Sequence, residues 1–157
     1  MILISILVIL IDRWTKLFFY KFLSTRGTLP IIPGFLHFTL TKNSGITFGL
    51  LQGKTFIVTL IPTITIIFGI WWYVFKAEDR FTRFAISLII GGGAGNLIDR
   101  IQYGYVIDFI DVRGIWPFIF NFADMCVVIG FSLLILKILI EERKGMKKNA
   151  QNTFSNR

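Results

Sequence analysis

One acidic residue, Asp124, lies within an apolar stretch of the sequence. It is preceded by the stretch FNFA and followed by MCVVIG, and the next basic residue of the same apolar segment, Lys137, is thirteen positions away. Each charged group within a membrane span costs roughly 2.5–3.5 kcal/mol, so a carboxylate there is protonated, paired through another helix or functional. We favour a functional role. The residues alone leave its partner open among four other acids, which are Asp12, Asp99, Asp108 and Asp111.

The chemistry open to Asp124 is that of a carboxylate pair. Two carboxylates brought close share a proton, so that one acts as a base on water while the other acts as an acid. The chain has a single cysteine, Cys126, and a single histidine, His37. These counts exclude an internal disulfide and a cysteine-based zinc site, and they remove most histidine-based metal or catalytic arrangements. The residues therefore permit hydrolysis of the aspartic-protease kind, for which we expect no metal and no cofactor.

The elements that must position these residues belong to a membrane protein. The chain has 157 residues, of which 54% are apolar, and its mean hydropathy is +0.69. Charged residues make up 17%, against about 25% in soluble domains. The net charge of +8 does not indicate nucleic-acid binding, because no basic face studded with aromatic residues accompanies it. We interpret the basic residues as cytoplasmic flanks of membrane helices.

The apolar runs predict an all-α membrane protein with four transmembrane helices in a single membrane domain over 1–141. The first run, 2–23, gives a helix of about 33 Å at ~1.5 Å per residue, enough to cross a ~30 Å hydrocarbon core. The helices are expected at about 2–23, 55–75, 81–98 and 122–140. The remaining segments are an extracytoplasmic β region at 24–54, an extracytoplasmic loop at 99–121 and a basic cytoplasmic tail at 142–157, for which we expect disorder.

The segment 24–54 is expected to form a small extracytoplasmic β platform. Leu36, Phe38 and Leu40 alternate with polar residues, which is the period-two pattern of a strand. Prolines and glycines interrupt the segment on both sides of this pattern. A platform on the outer membrane surface fits these features better than a fifth helix.

Basic residues set the expected orientation. The linker 76–83 carries three of them and the tail 141–157 carries five, whereas the segments 24–54 and 99–121 are poorer in basic residues. Both termini are therefore expected in the cytoplasm. In this topology the polar residues in or beside the spans all lie near the outer interface, and they are Asp12, Lys16, Asn43, Asn96, Asp99, Arg100, Asp108, Asn121 and Asp124.

Structural roles compete with functional ones for several of these residues. Asp12 and Lys16 are four positions apart with the acid first, which is the favourable spacing of a helix ion pair. Asp99 and Arg100 are interpreted as the end of the third helix at the interface. The glycines within 91–95 favour close helix packing, with the approach of a substrate backbone as the alternative.

Three other functions remain open from the residues alone. A small proton-coupled transporter would use Asp124 or Asp12, but it predicts acids near the midplane and repeated halves, and the sequence shows no repeat. A metal-dependent lipid-phosphate enzyme would gather its acids within one or two helical turns, whereas these acids are spread over four segments. A scaffold subunit would give Asp124 nothing to do.

Five blocks of the sequence resemble lipoprotein signal peptidases (signal peptidase II), a family of aspartic peptidases in the bacterial cytoplasmic membrane. The blocks follow the family's order and cover nearly the whole chain. They are Asp12-x-x-x-Lys16, Asn43-x-Gly45-x-x-Phe48, GGGAGNLIDR from Gly91 to Arg100, VIDF around Asp108, and FNFAD from Phe120 to Asp124. The chain departs from the family at Thr47, where an alanine is usual, which places a hydroxyl near the expected site.

The resemblance implies that Asp108 and Asp124 are the catalytic pair, which answers the question that spacing left open. It implies a prolipoprotein substrate whose cysteine carries a diacylglyceryl group, cut on the amino side of that cysteine near the outer leaflet. We expect no partners besides this substrate and membrane lipid, and a monomer. The residues implied to bind substrate are Asn43, Gly45, Asn96, Arg100 and Asn121, and those implied to be structural are Asp12, Lys16 and Asp99.

Overall fold

The computed structural model describes residues 1–45, 55–114 and 117–155, and within them the chain forms four helices and four strands. The helices are α1 (Ile2–Leu23), α2 (Thr55–Phe75), α3 (Arg80–Tyr103) and α4 (Phe122–Ser155). The strands are β1 (Thr28–Ile32), β2 (Leu36–Asn43), β3 (Val106–Val112) and β4 (Ile119–Phe120).

Three of the helices are long and apolar enough to cross a membrane. Among the described residues these candidate spans are Phe56–Phe75, Arg80–Tyr103 and Phe122–Met146. Helix α1 is long enough but carries four charged residues, and it is not one of these three. A helical membrane-type protein with a small sheet is therefore confirmed, and the crossing of α1 stays a prediction.

Helix α3 is the central helix and packs against the other three. About half of its span is buried, against roughly a tenth of α2 and a sixth of α4. Glycines permit the close approach, because a Cβ at Gly91 would lie 2.8 Å from Val8 Cβ in α1, and one at Gly130 in α4 would lie 2.7 Å from the Ala85 carbonyl oxygen in α3. A Cβ at Gly92 would overlap the carbonyl oxygen of Ala123. The packing interpretation is confirmed for Gly91 and Gly92.

The four strands form one antiparallel sheet in the order β1-β2-β3-β4. The expected strand around 36–41 is present as β2, which pairs with β1 in a hairpin and with β3 on its other side. Thr41 lies opposite Asp108 and Asn43 opposite Val106. This register sets the end of β2 beside the first acid of the predicted pair.

The sheet packs against the end of α1 through aromatic side chains. The ring of Phe19 lies 4.4 Å from that of Phe38 in β2 and 4.3 Å from that of Phe109 in β3, measured between centroids. Aromatic pairs at such distances add to the stabilisation from burial. The residue next to Asp108 therefore anchors β3 to the helices.

The structure differs from the sequence-based prediction over 99–121. Helix α3 continues through Asp99 and Arg100 to Tyr103, so these two residues do not end it. It ends at Gly104, which has φ 77° and donates its N–H to the Arg100 carbonyl oxygen, a left-handed cap that favours glycine. The remainder of the predicted loop holds β3 and β4.

The predicted tail also differs, because α4 continues through it to Ser155. The sequence-based end of this helix, at about 140, marked the end of the apolar run. Residues 141–144, EERK, are polar helix formers, and the helix continues through them.

Candidate active site

Asp108 lies in the middle of the site, on β3. Its side chain is buried, with the residue only 2% exposed. The Asn121 amide donates to its Oδ1 at 2.6 Å and the Asn43 amide donates to its Oδ2 at 2.9 Å. Both carboxyl oxygens are thus held by amides that come from different elements, the end of β2 and the residue before α4.

Asp124 is placed by the start of α4. Asn121 precedes the helix, and its side-chain oxygen accepts from the Asp124 N–H at 3.0 Å, while Asp124 Oδ2 accepts from the Asn121 N–H at 3.1 Å. This reciprocal pair is a capping box, in which the third helical residue reaches back to the N-cap. The other oxygen, Oδ1, accepts from the Asn96 amide of α3 at 2.8 Å.

Asn121 connects the two acids through its side chain. Its amide nitrogen donates to Asp108 Oδ1 and to Asn96 Oδ1, the latter at 3.1 Å, and the residue is fully buried. The acids are 16 residues apart in sequence. The Asn121 side chain links Asp108 to the start of the helix that carries Asp124, and Asp108, Asn96 and Asp124 all line one cavity.

The surroundings of Asp108 favour its protonated form. Burial raises its pKa to about 7, and the neighbouring charge of Asp124 acts in the same direction, against the opposing effect of the hydrogen bonds from Asn43 and Asn121. Desolvation and a like charge both disfavour the carboxylate. The arrangement therefore holds a proton near neutral pH, as a carboxylate pair that works as acid and base requires.

A buried ionic cluster lies behind the acids. The Lys16 ammonium is 2.8 Å from Asp12 Oδ2 and 3.1 Å from Asp99 Oδ2, and all three side chains are fully buried. Lys16 also donates to Asn96 Oδ1 at 2.9 Å. The predicted ion pair of Asp12 with Lys16 is present, and Asp99 belongs to the same cluster instead of ending α3.

Arg100 connects α3 to the segment that follows β2. Its guanidinium donates to the Gly45 carbonyl oxygen at 3.1 Å and lies 3.5 Å from the Asn96 carbonyl oxygen. The Gly45 N–H in turn donates to Asn43 Oδ1 at 3.0 Å. These bonds orient Asn43, whose amide holds Asp108. Thr47 and Phe48, which the sequence placed nearby, lie outside the described residues.

The two acids open into a cavity of about 770 Å³. Its polar wall is formed by the two acids with Thr41, Lys42, Asn43, Asn96 and Arg100. Its remaining wall is largely apolar and comes from the approach to β4 and the first turns of α4, including Phe118, Ile119, Phe120, Met125, Val128 and Ile129. Such a combination of apolar lining and few converging polar groups is typical of a ligand site.

One member of the ionic cluster, Arg13, had no assigned role in the sequence analysis. Its guanidinium pairs with Asp99 and donates to Gln102 Oε1 at 2.9 Å and to the Tyr103 hydroxyl at 3.2 Å. Its position next to Asp12 was the only available signal. The partners of Arg13 belong to the part of α3 that the prediction had treated as loop.

This fold and site define a class: a helical membrane enzyme with a pair of carboxylates in a cavity beside a small sheet. The family model of signal peptidase (SPase) II matches residues 4–140. The chain belongs to the signal peptidase II family and is a peptidase of the bacterial membrane.

Named relatives agree with this family. The chain is 39% identical over 149 residues to the lipoprotein signal peptidase of Fusobacterium nucleatum, covering 94% of this chain and 90% of that protein. It is 39% identical to that of Clostridioides difficile, covering 92% and 97%, and 41% identical to that of Desulfitobacterium hafniense, covering 87% and 91%.

Two solved structures of bacterial membrane enzymes, determined by the in meso method, have the same fold. The first, at 2.3 Å resolution, gives a TM-score of 0.80 at 35% identity and covers 90% of this chain and 88% of the solved one. The second, at 1.9 Å, gives 0.75 at 36% identity and covers 88% and 91%.

Proposed function

We propose that this chain is an aspartic endopeptidase that removes signal peptides from diacylglyceryl-modified prolipoproteins, cutting on the amino side of the lipidated cysteine. Membership of the signal peptidase II family supports the substrate class. The observation that carries the aspartic assignment is the Asn121 side chain, which joins Asp108 to the start of the helix that holds Asp124. Both acids face one cavity.

In the proposed mechanism the pair holds one proton at neutral pH. Asp124 takes a proton from a water between the two acids, and the water oxygen attacks the scissile carbonyl carbon. Asp108, which we assign as the protonated partner because burial and the charge of Asp124 raise its pKa, donates to the carbonyl oxygen. The resulting diol collapses as Asp124 returns its proton to the leaving amine and Asp108 recovers one from the diol. The C–N bond breaks, and the free cysteine amine departs.

The chain supplies acid and base for this sequence from its own residues, so we propose that the reaction needs no metal and no cofactor. Asn43 and Asn121 orient Asp108, and Asn96 orients Asp124. Arg100 lines the cavity and donates to the Gly45 carbonyl oxygen, and we assign to Arg100 mainly the role of holding the segment after β2.

The apolar wall supports a lipid-modified substrate. Met125, Val128 and Ile129 of α4 line the cavity and are also exposed on the protein surface, at 40%, 63% and 47%. On a candidate membrane span such exposed side chains face acyl chains. We propose that the diacylglyceryl chains lie against this wall, while the peptide bond reaches the acids.

The proposed topology has four spans, with both termini in the cytoplasm and the acids near the outer leaflet. Three of the four charged residues of α1 are paired, since Asp12 and Lys16 pair with each other and Arg13 pairs with Asp99 of α3. Pairing of this kind lowers the cost of charges within a span. We expect a monomer that contacts membrane lipid and binds no nucleic acid.

The substrate assignment can be tested on matched prolipoproteins with and without the diacylglyceryl group. The purified protein should release the signal peptide from the modified form only, and mass spectrometry of the product should find the lipidated cysteine at its amino terminus. Equal cleavage of the unmodified form, or a cut elsewhere, would contradict the proposed specificity while leaving the peptidase activity in place.

A further inference from the structure

The residue before each acid of the pair has its backbone N–H held by a buried carboxylate. Ala123, which precedes Asp124, donates to Asp12 Oδ1 at 3.0 Å. Ile107, which precedes Asp108, donates to Asp99 Oδ2 at 3.1 Å. Asp12 comes from α1 and Asp99 from α3. Two different helices therefore hold the backbone next to the two acids by the same kind of bond.

One ammonium group joins these two carboxylates. Lys16 Nζ is 2.8 Å from Asp12 Oδ2 and 3.1 Å from Asp99 Oδ2. Its third contact is Asn96 Oδ1, at 2.9 Å. The contact with Asn96 is a hydrogen bond, and the contacts with the two carboxylates are ion pairs. The third acceptor, Asn96, is the residue whose amide holds Asp124 Oδ1.

The geometry points to Lys16 as a positioning residue for the proposed reaction: by holding Asp12, Asp99 and Asn96 together, it fixes the distance between Asp108 and Asp124. This inference rests on the proposed function, because it concerns the alignment of that pair. A shift of either carboxylate would pass directly to the pair, because each carboxylate binds the residue adjacent to one of its acids. Misplacement of a catalytic group by about 1 Å can cost about a hundredfold in rate.

The alternative role for Lys16 is to balance charge. The positioning role and the charge-balancing role can be separated because the cluster contains a second cation. Its cations are Lys16 and Arg13, and its anions are Asp12 and Asp99. Lys16→Met alone leaves one carboxylate without a counter-charge, which costs stability whatever the role of Lys16. The double variant Asp12→Asn/Lys16→Met is balanced again, because Arg13 still pairs with Asp99. Its new amide oxygen can still accept from the Ala123 N–H.

The experiment compares kcat, KM and melting temperature of the wild type, Lys16→Met and the double variant, in detergent with a diacylglyceryl-modified prolipoprotein. We expect the double variant to recover most of the melting temperature that Lys16→Met loses, while its kcat stays at least tenfold below the wild type and its KM changes less than threefold. Recovery of kcat to within twofold of the wild type would show that Lys16 only balances charge, and would overturn the inference.

The matched control is Lys137→Met. Lys137 is a partly buried lysine of α4, and it pairs with Asp79, away from the acids. It should lower kcat less than twofold. A loss equal to that of the double variant would mean that any removal of an intramembrane lysine has the same effect, and would also overturn the inference.

A second kind of substitution displaces a carboxylate of the cluster without removing a charge. It tests the positioning role even if the lysine variants do not fold. A Cβ at Gly95 would overlap Asp12 Oδ2 and lie 3.0 Å from Asp12 Cγ, so Gly95→Ala must push that carboxylate away. Gly93→Ala, two residues earlier, meets only the flexible side chain of Ile66 at 3.2 Å. We expect kcat to fall at least tenfold in Gly95→Ala and less than twofold in Gly93→Ala. Equal values would overturn the inference.

Failure of the proposed function would give a different pattern. If the wild type does not cleave, or if Asp108→Asn cleaves like the wild type, the aspartic assignment fails before Lys16 is considered. If the wild type cleaves and Asp108→Asn does not, the lysine and glycine variants report on positioning alone.

Discussion

Asn121 and Asp124 exchange two hydrogen bonds, one from each backbone N–H to the other's side chain, at 3.1 and 3.0 Å. The same contacts begin α4 and orient one acid of the proposed pair. Because the Asn121 amide also donates to Asp108, the geometry of a helix N-terminus is coupled to the geometry of the site. Capping and alignment of the acids can be separated by substitution at position 121.

The variant Asn121→Ser should separate these two roles. Serine is as good an N-cap as asparagine, so the start of α4 should be kept and the melting temperature should fall less than in a variant without a cap. Serine lacks the amide that donates to Asp108, and a hydrogen bond to a charged or shared-proton group is worth about 1.5–3 kcal/mol. We expect kcat to fall by about 10- to 100-fold in a cleavage assay.

The control for this prediction is Asn121→Ala, which removes cap and amide together. It should lower kcat at least as much and should also lower the melting temperature, since loss of an N-cap costs about 1 kcal/mol. A serine variant with unchanged kcat would mean that the Asn121–Asp108 bond has no part in the reaction.

Stability should depend on pH through Asp108. Below pH 3.8, its ordinary pKa, this carboxyl is protonated in both the folded and the unfolded state. Between there and its folded pKa of about 7, only the folded state keeps the proton, so each rising pH unit costs the folded state up to about 1.4 kcal/mol. Above that pKa both states are ionised and no further loss follows. We expect the melting temperature to fall between pH 5 and pH 7, and to fall less in Asp108→Asn.

Catalytic activity should also depend on the ionisation of Asp108, and it should fall at alkaline pH. As pH rises above neutral, the pair loses the proton that it shares, and two carboxylates have no acid to donate to the scissile carbonyl. kcat/KM should therefore decline above neutral pH. A rate that stays constant to pH 9 on a stable protein would contradict the assignment of Asp108 as the proton donor.

Two glycines at the contact of α3 with α4 should give different losses when replaced by alanine. A Cβ at Gly92 would overlap the carbonyl of Ala123, next to Asp124, whereas one at Gly130 would meet the Ala85 carbonyl away from the site. Both variants should lose about 1–3 kcal/mol of stability, as overpacking does. Only Gly92→Ala should also lower kcat per folded molecule, by at least tenfold. Equal kcat values in the two folded variants would contradict this.

Much of the helical fold was predictable, because long uncharged runs are a strong signal. The alternation over 36–41 also predicted β2. Strand β3 was not predicted, because Asp108 and Asp111 interrupt an apolar run whose strand character depends on pairing with β2, far away in sequence. The continuation of α3 to Tyr103 was missed for a similar reason: Asp99 looked like a helix end, and its partners Lys16 and Arg13 come from α1.

Individual residues of the site were predictable, but the hydrogen bonds that join them were not. The position of Asp124 within an apolar stretch singled it out, but the residues alone did not choose its partner, which only the resemblance to the family named. The amide of Asn121 between the two acids is a contact that spacing cannot show, because it depends on where β3 passes the start of α4.

The most direct test of the account is cleavage of a diacylglyceryl-modified prolipoprotein by the purified protein with EDTA present, comparing the wild type with Asp124→Asn. We predict that the wild type releases the signal peptide at an unchanged rate in EDTA and that the folded variant, whose asparagine oxygen can still accept from the Asn121 N–H, releases none. Cleavage lost in EDTA would contradict a metal-free mechanism, and cleavage by Asp124→Asn at the rate of the wild type would contradict the aspartic pair itself.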